Sequence, residues 1–160
     1  INDVGNAFGD EHPPRKEIVA QRLALQALKR VYGFDGIEAD APRALSATRE
    51  GEKVRVTFAH AQSLYVYNDD FAMPDGFEIA GPDQIFHPAR VLNMQTQTNA
   101  QGVVNAAFFG GIAKTPELLL DAPGVTEPIR VRYLFQRPCR GSVFSEVNLP
   151  MSAFELSVGN

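Results

Sequence analysis

Hydrophobic residues follow two different patterns along this chain, one before Gly33 and one after it. Between residues 13 and 32, apolar side chains recur every three or four positions, which is the spacing of one helical face. These side chains are Ala20, Leu23, Ala24, Ala27, Leu28 and Val31. The pattern predicts an amphipathic helix over 13–32 that ends at Gly33, with Lys29 and Arg30 favourably placed near its carboxyl terminus.

After Gly33, short segments alternate apolar and polar residues and are separated by Gly, Pro, Asn and Asp. Residues 53–58 alternate in this way, with the period of a strand that buries one face. The segment 34–42 is a predicted linker. Strands are predicted at 53–58, 64–67, 77–80, 90–94, 103–108, 129–135 and 154–158. A strand about every ten residues is typical of an antiparallel β-sandwich or jelly roll, so the fold class is mainly β.

The two patterns predict two structural parts, 1–33 and 34–160. The second part has the size of one β-sandwich domain. The first part is a loop and a helix whose apolar face needs a partner, either the sandwich or a larger α/β domain whose sheet is absent here. We expect this face to pack against protein outside the chain or to be exposed.

Composition narrows the class of protein. The 160 residues are 44% hydrophobic and 21% charged with a net charge of -4, values typical of a soluble globular protein. The negative charge argues against binding to nucleic acid, and no apolar run approaches the ~18 residues of a membrane span. Cys139 is alone, so no internal disulfide is possible. Because the chain starts at Ile1, we expect it to have been trimmed or cut from something longer.

His12 is the candidate catalytic residue. It directly precedes the predicted helix, in the kind of loop that often carries catalytic side chains. An imidazole transfers protons near neutral pH, and a neighbouring carboxylate can fix its tautomer. Asp10 is the nearest suitable carboxylate. An Asp-x-His pattern also arises by chance, so these residues alone do not establish a site.

Segments distributed along the chain resemble the sialate O-acetylesterases, a family of SGNH hydrolases. The first runs from Asp10 through His12-Pro13 and Arg22-Leu23-Ala24-Leu25 to Tyr32-Gly33. The others are Gly76-Phe77-Glu78-Ile79-Ala80-Gly81, Phe86 with Pro88-Ala89, Val131-Arg132-Tyr133, and Asn148-Leu149-Pro150 followed by Phe154. The resemblance implies that His12 is the catalytic histidine and that the helix after it closes the hydrolase domain.

The resemblance also implies a function for the longer protein. That protein would remove O-acetyl groups from sugars by a Ser/His/Asp mechanism without a cofactor, and would be secreted, periplasmic or lysosomal. The sequence has no Gly-Asp-Ser or Gly-x-Ser-x-Gly element. We therefore expect an amino-terminal part of the same enzyme to supply the serine, and the isolated chain to be inactive. The alternative is a non-catalytic β-sandwich module that binds glycans or supports a neighbouring domain.

The sequence departs from the family in two places. Many SGNH hydrolases have the triad aspartate three residues before the histidine, but Gly9 stands there and Asp10 is two residues before. The carboxylate that orients His12 is therefore Asp10, Asp3 or one in the amino-terminal part. Val147 and Ala153 also replace a glycine and a proline around Asn148-Leu149-Pro150, which affects the expected turn.

Other candidate sites have simpler interpretations. His60 and His87 lack metal-ligand spacing with His12, so no metal site is predicted. Residues 68–70 (Asn-Asp-Asp) are more typical of a turn than of a calcium site. The pair Gly110-Gly111 is interpreted as a bend after a strand. The last candidates are aromatic residues that suit either sugar stacking or core packing, namely Tyr65, Tyr67 and Phe71.

Overall fold

The computed structural model of this protein describes residues 16–66, 76–96, 111–135 and 141–160. Within these ranges the chain forms one α-helix, α1 (Lys16–Arg30), followed by twelve β-strands. The strands are β1 (Arg43–Glu50), β2 (Lys53–Ala59), β3 (Leu64–Val66), β4 (Phe77–Ala80), β5 (Phe86–Pro88), β6 (Arg90–Val91), β7 (Gln95–Thr96), β8 (Gly111–Ala113), β9 (Glu117–Asp121), β10 (Arg130–Tyr133), β11 (Val143–Ser145) and β12 (Phe154–Ser157).

The strands form three four-stranded sheets. Their orders are β1-β2-β9-β6, β12-β10-β4-β5 and β11-β3-β8-β7, and every pairing of named strands is antiparallel. Most neighbours are far apart in the sequence, so the connections cross between strands, as they do in β-sandwiches. The expected mainly β, antiparallel fold class is confirmed.

One hydrophobic core joins the three sheets. Alternate residues of β2 and β9 point into it, so Val54, Val56, Leu118 and Leu120 are all fully buried. Buried side chains from the other two sheets belong to the same cluster, among them Leu64, Val66, Ile79, Val131 and Val143. Helix α1 contributes no buried residue. The core therefore belongs to the β-strands.

Segments that resemble the sialate O-acetylesterases lie side by side in the second sheet. Strand β4 pairs with β10 so that Phe77 faces Tyr133 and Glu78 faces Arg132. Phe154 of β12 pairs with Tyr133 from the other side, and the rings of these three aromatic residues are in contact. These family-like residues build the core of the sandwich, which explains their spacing without a catalytic role.

Helix α1 ends slightly earlier than the predicted range of 13–32. Gly33 adopts a φ of +72°, and the amide of Phe34 donates to the carbonyl of Leu28 at 3.1 Å. A left-handed glycine with this hydrogen bond is a common helix stop, because glycine adopts that conformation without steric cost. Residues 13–15 lie outside the described ranges. Within the described residues, no helix has the length and apolar character needed to cross a membrane.

Two sequence predictions in the β region were wrong in detail. The strand predicted at 90–94 stops at Val91. The amide of Leu92 still donates to the carbonyl of Leu119, and beyond it the side chain of Asn93 bonds β9, at the carbonyl of Glu117 and the amide of Leu119. Gly111 begins strand β8 and is not part of a bend. The predicted strand at 103–108 lies outside the described residues.

The turn before Pro150 forms despite Val147. Asn148 adopts a φ of 62° and donates to the carbonyl of Ser145 at 2.9 Å. Asparagine is among the residues that best tolerate this left-handed conformation. The turn therefore does not require the glycine that the family has before Asn148.

Candidate functional site

The residues assigned to catalysis from the sequence, His12 and Asp10, lie outside the described residues, as does Asp3. The structure does describe the helix to which they connect. Helix α1 begins at Lys16, four residues after His12. Four residues span at most about 14 Å even when fully extended. His12 must therefore lie within about 14 Å of the first residue of α1.

The apolar face of α1, defined as Ala20, Leu23, Ala24, Ala27, Leu28 and Val31, is largely exposed. Leu23 is 66% exposed and Val31 is 76% exposed, Ala20 and Ala24 are exposed as well, and Ala27 and Leu28 are half-buried. Large apolar side chains continue past the helix, since Tyr32 and Phe34 are also exposed. The expectation of an exposed face is therefore confirmed for four of its six residues, namely Ala20, Leu23, Ala24 and Val31.

Polar side chains on another side of α1 fasten it to the segment after Gly33. Gln26 donates from Nε2 to the carbonyl of Ala39. Lys29 Nζ donates to Glu38 Oε1 at 2.9 Å and to Asp40 Oδ2 at 3.3 Å. Arg30 Nη2 donates to Asp40 Oδ1 at 2.5 Å. We call Lys29, Arg30, Glu38 and Asp40 the anchor cluster.

The anchor cluster shifts the pKa values of its members in the directions expected for ion pairs. The pKa of Glu38 is lowered, chiefly because its carboxylate accepts a hydrogen bond from the amide of Asp40, and also because Lys29 donates to it. Burial raises the pKa of Asp40, but hydrogen bonds and the nearby positive charges outweigh it, so the net shift is downward. The hydrogen bond to Glu38 raises the pKa of Lys29. All three groups are therefore charged at neutral pH.

His60 lies beside the anchor cluster. Its Nδ1 is 3.8 Å from Glu38 Oε2, and potential ligand atoms of Glu38, Asp40 and His60 lie within 4.8 Å of one another. Such a donor set suits a divalent metal, but the ammonium of Lys29 already bridges the two carboxylates. We therefore interpret these residues as a salt-bridge network. Sequence reasoning missed it, although residues of opposite charge flank the helix stop at Gly33.

A cavity of about 400 Å³ separates the amino-terminal half of α1 from the sandwich. Its lining on the helix side includes Val19, Arg22 and Leu23, and on the sandwich side it includes Pro150 and Met151. Among the described residues, no strand has extensive contact with α1. Hydrogen bonds from Gln26, Lys29 and Arg30 hold the carboxyl-terminal half of the helix, and the cavity adjoins its amino-terminal half.

The remaining sequence candidates are not brought together among the described residues. His87 lies on β5, where it pairs with Ile79, and takes no part in the anchor cluster. Tyr65 is half-buried on the face of β3 opposite the buried Leu64 and Val66. Its proposed companions Tyr67 and Phe71 are outside the described ranges, as are residues 68–70, Gly110 and Cys139.

Comparison with known proteins connects this structure to an enzyme. No protein-family model matches the chain, and no curated protein matches its sequence. Among solved structures, a carbohydrate acetylesterase from Xanthomonas citri matches 96% of the chain with a TM-score of 0.71 and 30% sequence identity. The chain spans only 30% of that protein's length. This chain is therefore similar, over nearly all of its length, to one portion of a larger carbohydrate acetylesterase.

Proposed function

We propose that this chain is the carboxyl-terminal part of a carbohydrate O-acetylesterase and supplies its catalytic histidine, His12. The observation that carries the proposal is the match of almost the whole chain to a carbohydrate acetylesterase at 30% identity. The sialate O-acetylesterase-like segment around His12 supports the finer assignment. O-acetylated sugars are the proposed substrate class.

His12 acts as a general base and then as a general acid in the proposed mechanism. It takes the proton from a serine hydroxyl while the serine oxygen attacks the acetyl carbonyl. It then gives that proton to the sugar oxygen as the ester bond breaks, which leaves an acetyl-serine. In the second half of the cycle, His12 removes a proton from water as the water oxygen attacks the acetyl group. His12 then returns that proton to the serine oxygen as the acetyl–serine bond breaks, which releases acetate and regenerates the serine. Asp10 orients the imidazole and stabilises its charged form, unless Asp3 or another carboxylate does so.

The serine belongs to an amino-terminal part of the same enzyme in this proposal. Two observations support a second part. The matching portion is 30% of the Xanthomonas protein, so most of that enzyme has no counterpart here. The apolar face of α1 is also exposed at Leu23 and Val31, and contiguous exposed apolar surface is typical of protein contacts. We infer that the amino-terminal part covers this face.

The proposal is tested in the enzyme that contains both parts. His12→Ala should lower kcat by roughly three or more powers of ten, because the members of a triad act as a unit. The chain by itself should not hydrolyse a chromogenic acetyl ester. His87→Ala is the matched control, since His87 is a strand residue of the sandwich, and it should leave kcat unchanged. His60→Ala should do the same, although its φ of 61° makes it a less neutral control.

Two further measurements assign roles around His12. Activity of the wild type should rise with pH through the titration of a histidine-like group, because only neutral imidazole accepts the serine proton. Asp10→Asn should reduce kcat as severely as His12→Ala if Asp10 is the sole orienting carboxylate, and less severely if another carboxylate shares the role. Near-normal turnover by His12→Ala would refute the catalytic assignment.

A non-catalytic sandwich module is the alternative function. Under that alternative, α1 would be an accessory helix packed by its apolar face onto its own sandwich. The exposure of Leu23 and Val31 argues against this arrangement. Of the three aromatic residues singled out from the sequence for sugar stacking, Tyr65 is the one that the structure describes, and it is half-buried.

A further inference from the structure

The outer face of the second sheet carries four charged residues, although its inner face belongs to the apolar core. Strands β4, β10 and β12 alternate, so that Phe77, Val131 and Tyr133 point into the core and their neighbours along the strands point away from it. The outward-pointing charged residues are Glu78, Arg130, Arg132 and Glu155. We call these four residues the charged sheet face.

Arg132 lies in the middle of this face and is held on two sides. Its Nε donates to Glu78 Oε2 at 2.7 Å. Its guanidinium lies 3.6 Å from the centre of the Phe86 ring and 5.5 Å from the centre of the Phe135 ring. Among the described residues, none accepts a hydrogen bond from the two η nitrogens of Arg132. Because the planar guanidinium is already fixed by a carboxylate and a ring, these N–H groups are preorganised to bind a ligand.

The charged sheet face carries no net charge. Arg130 Nη2 donates to Glu155 Oε1, as Arg132 donates to Glu78, so two cations balance two anions. A phosphate, a carboxylate or an ammonium group would be attracted by one half of this face and repelled by the other. A hydroxyl group both donates and accepts, so it can bond a guanidinium N–H and a carboxylate oxygen at the same time. The face therefore favours a neutral ligand with many hydroxyl groups.

Phe135 adds an apolar surface beside these polar groups, since it is 49% exposed. Ligand sites commonly combine aromatic side chains with a few polar groups in fixed positions. The C–H face of a pyranose ring packs on an aromatic ring, while its hydroxyl groups point outward from the rim and reach polar neighbours. We propose that the charged sheet face and Phe135 bind a neutral oligosaccharide, with one sugar ring on Phe135 and its hydroxyl groups bonded to Arg132. This inference rests on the proposed function for its class of ligand, and it requires nothing of His12.

The first test is a titration of the full chain with xylohexaose and with cellohexaose, which are both neutral. At least one should bind with a Kd of about 1 mM or lower, and the amide shifts of β10 and β12 should move. Phe135→Ala should weaken binding by about tenfold, because it removes the stacking surface. Phe34→Ala is the matched control, since Phe34 is 54% exposed and follows α1, and it should leave Kd unchanged.

A double variant tests the charged residues without leaving a buried charge unpaired. Arg132→Ala alone would leave the carboxylate of Glu78, which is 5% exposed, without its cation. Glu78→Leu/Arg132→Met replaces the pair by apolar side chains, a change that folded proteins often tolerate. Binding should weaken by about tenfold or more, while the amide spectra of β2 and β9 stay those of the folded chain.

Four results would overturn the inference. They are no binding of either neutral probe, wild-type affinity in Phe135→Ala, tighter binding of the acidic probe hexagalacturonate, and binding by the chain that is lost in the enzyme containing both parts. The last result would show that the charged sheet face is a protein contact. Failure of the proposed function would look different, since His12→Ala would then turn over normally and oligosaccharide binding would not change.

Discussion

The sandwich and helix α1 are held by different forces. In the sandwich, side chains from three sheets share one core, and Val54, Leu120 and Val131 have no solvent exposure. Helix α1 has no fully buried residue, and charged side chains near its carboxyl end pair with Glu38 and Asp40. Hydrophobic burial makes a domain stable by itself, whereas exposed ion pairs contribute little stability. The sandwich therefore has a core of its own, to which α1 contributes no buried residue.

The largest expected difference between the two regions is in how much a Leu→Ala substitution lowers the free energy of unfolding. Leu120→Ala removes a fully buried side chain of β9, and should lower the free energy of unfolding by about 3 kcal/mol. Leu23→Ala removes a side chain that is 66% exposed, and should change the free energy of unfolding by less than about 0.5 kcal/mol. Urea denaturation of the isolated chain measures both. Equal losses in the free energy of unfolding for the two variants would show that α1 belongs to the same core as the strands.

A smaller effect is expected from acid, and in the helix it should follow the two carboxylates of the anchor cluster. The pKa values of Glu38 and Asp40 are lowered in the folded chain from ordinary values of 4.5 and 3.8. Folding thus favours their ionised forms. Their contribution is fully present above the ordinary pKa values, and is lost as the pH falls through the lowered ones. Chemical shifts of α1 amides should be constant from neutral pH to about pH 5 and should move toward coil values below about pH 4.

A double variant provides the control for the acid effect. In Glu38→Gln/Asp40→Asn the carboxylates cannot titrate, so α1 should already be loosened at neutral pH and should lose little more on acidification. The strands of the sandwich should stay folded over the same range, because their shared core is apolar. Unfolding of helix and strands together at one pH in both proteins would show that the anchor cluster is not the acid-sensitive element.

The sequence predicts several strands of the core, although β9, with its fully buried Leu118 and Leu120, was not predicted. In β2, β4, β10 and β12 the side chains that meet the core are apolar, so strands were expected there. Strand β1 was missed, because Ala47 is its single buried residue and the strand otherwise consists of half-buried and exposed side chains. Strand β1 is the edge strand beside β2, and its sequence does not alternate apolar and polar residues in the way that predicts a strand.

Less of the candidate site could be predicted. The expectation of an uncovered apolar face was correct because helical spacing identifies the face, and the core of a β-sandwich is filled by its own strands. The anchor cluster was not expected, because it depends on how the chain turns at Gly33 to bring Glu38 and Asp40 beside Lys29. The catalytic partners of His12 remain a prediction from family resemblance, since the proposed serine lies outside this sequence.

Hydrogen exchange of α1, measured in the isolated chain and in the enzyme that contains both parts, tests the central contrast most directly. In the isolated chain the helix should exchange fast, because a helix of 15 residues without buried side chains is marginally stable in water. Strands β2 and β9 should be protected in both states. When the amino-terminal part covers Leu23 and Val31, exchange in α1 should slow by about a hundredfold or more. Protection of α1 that is the same in both states would contradict the account.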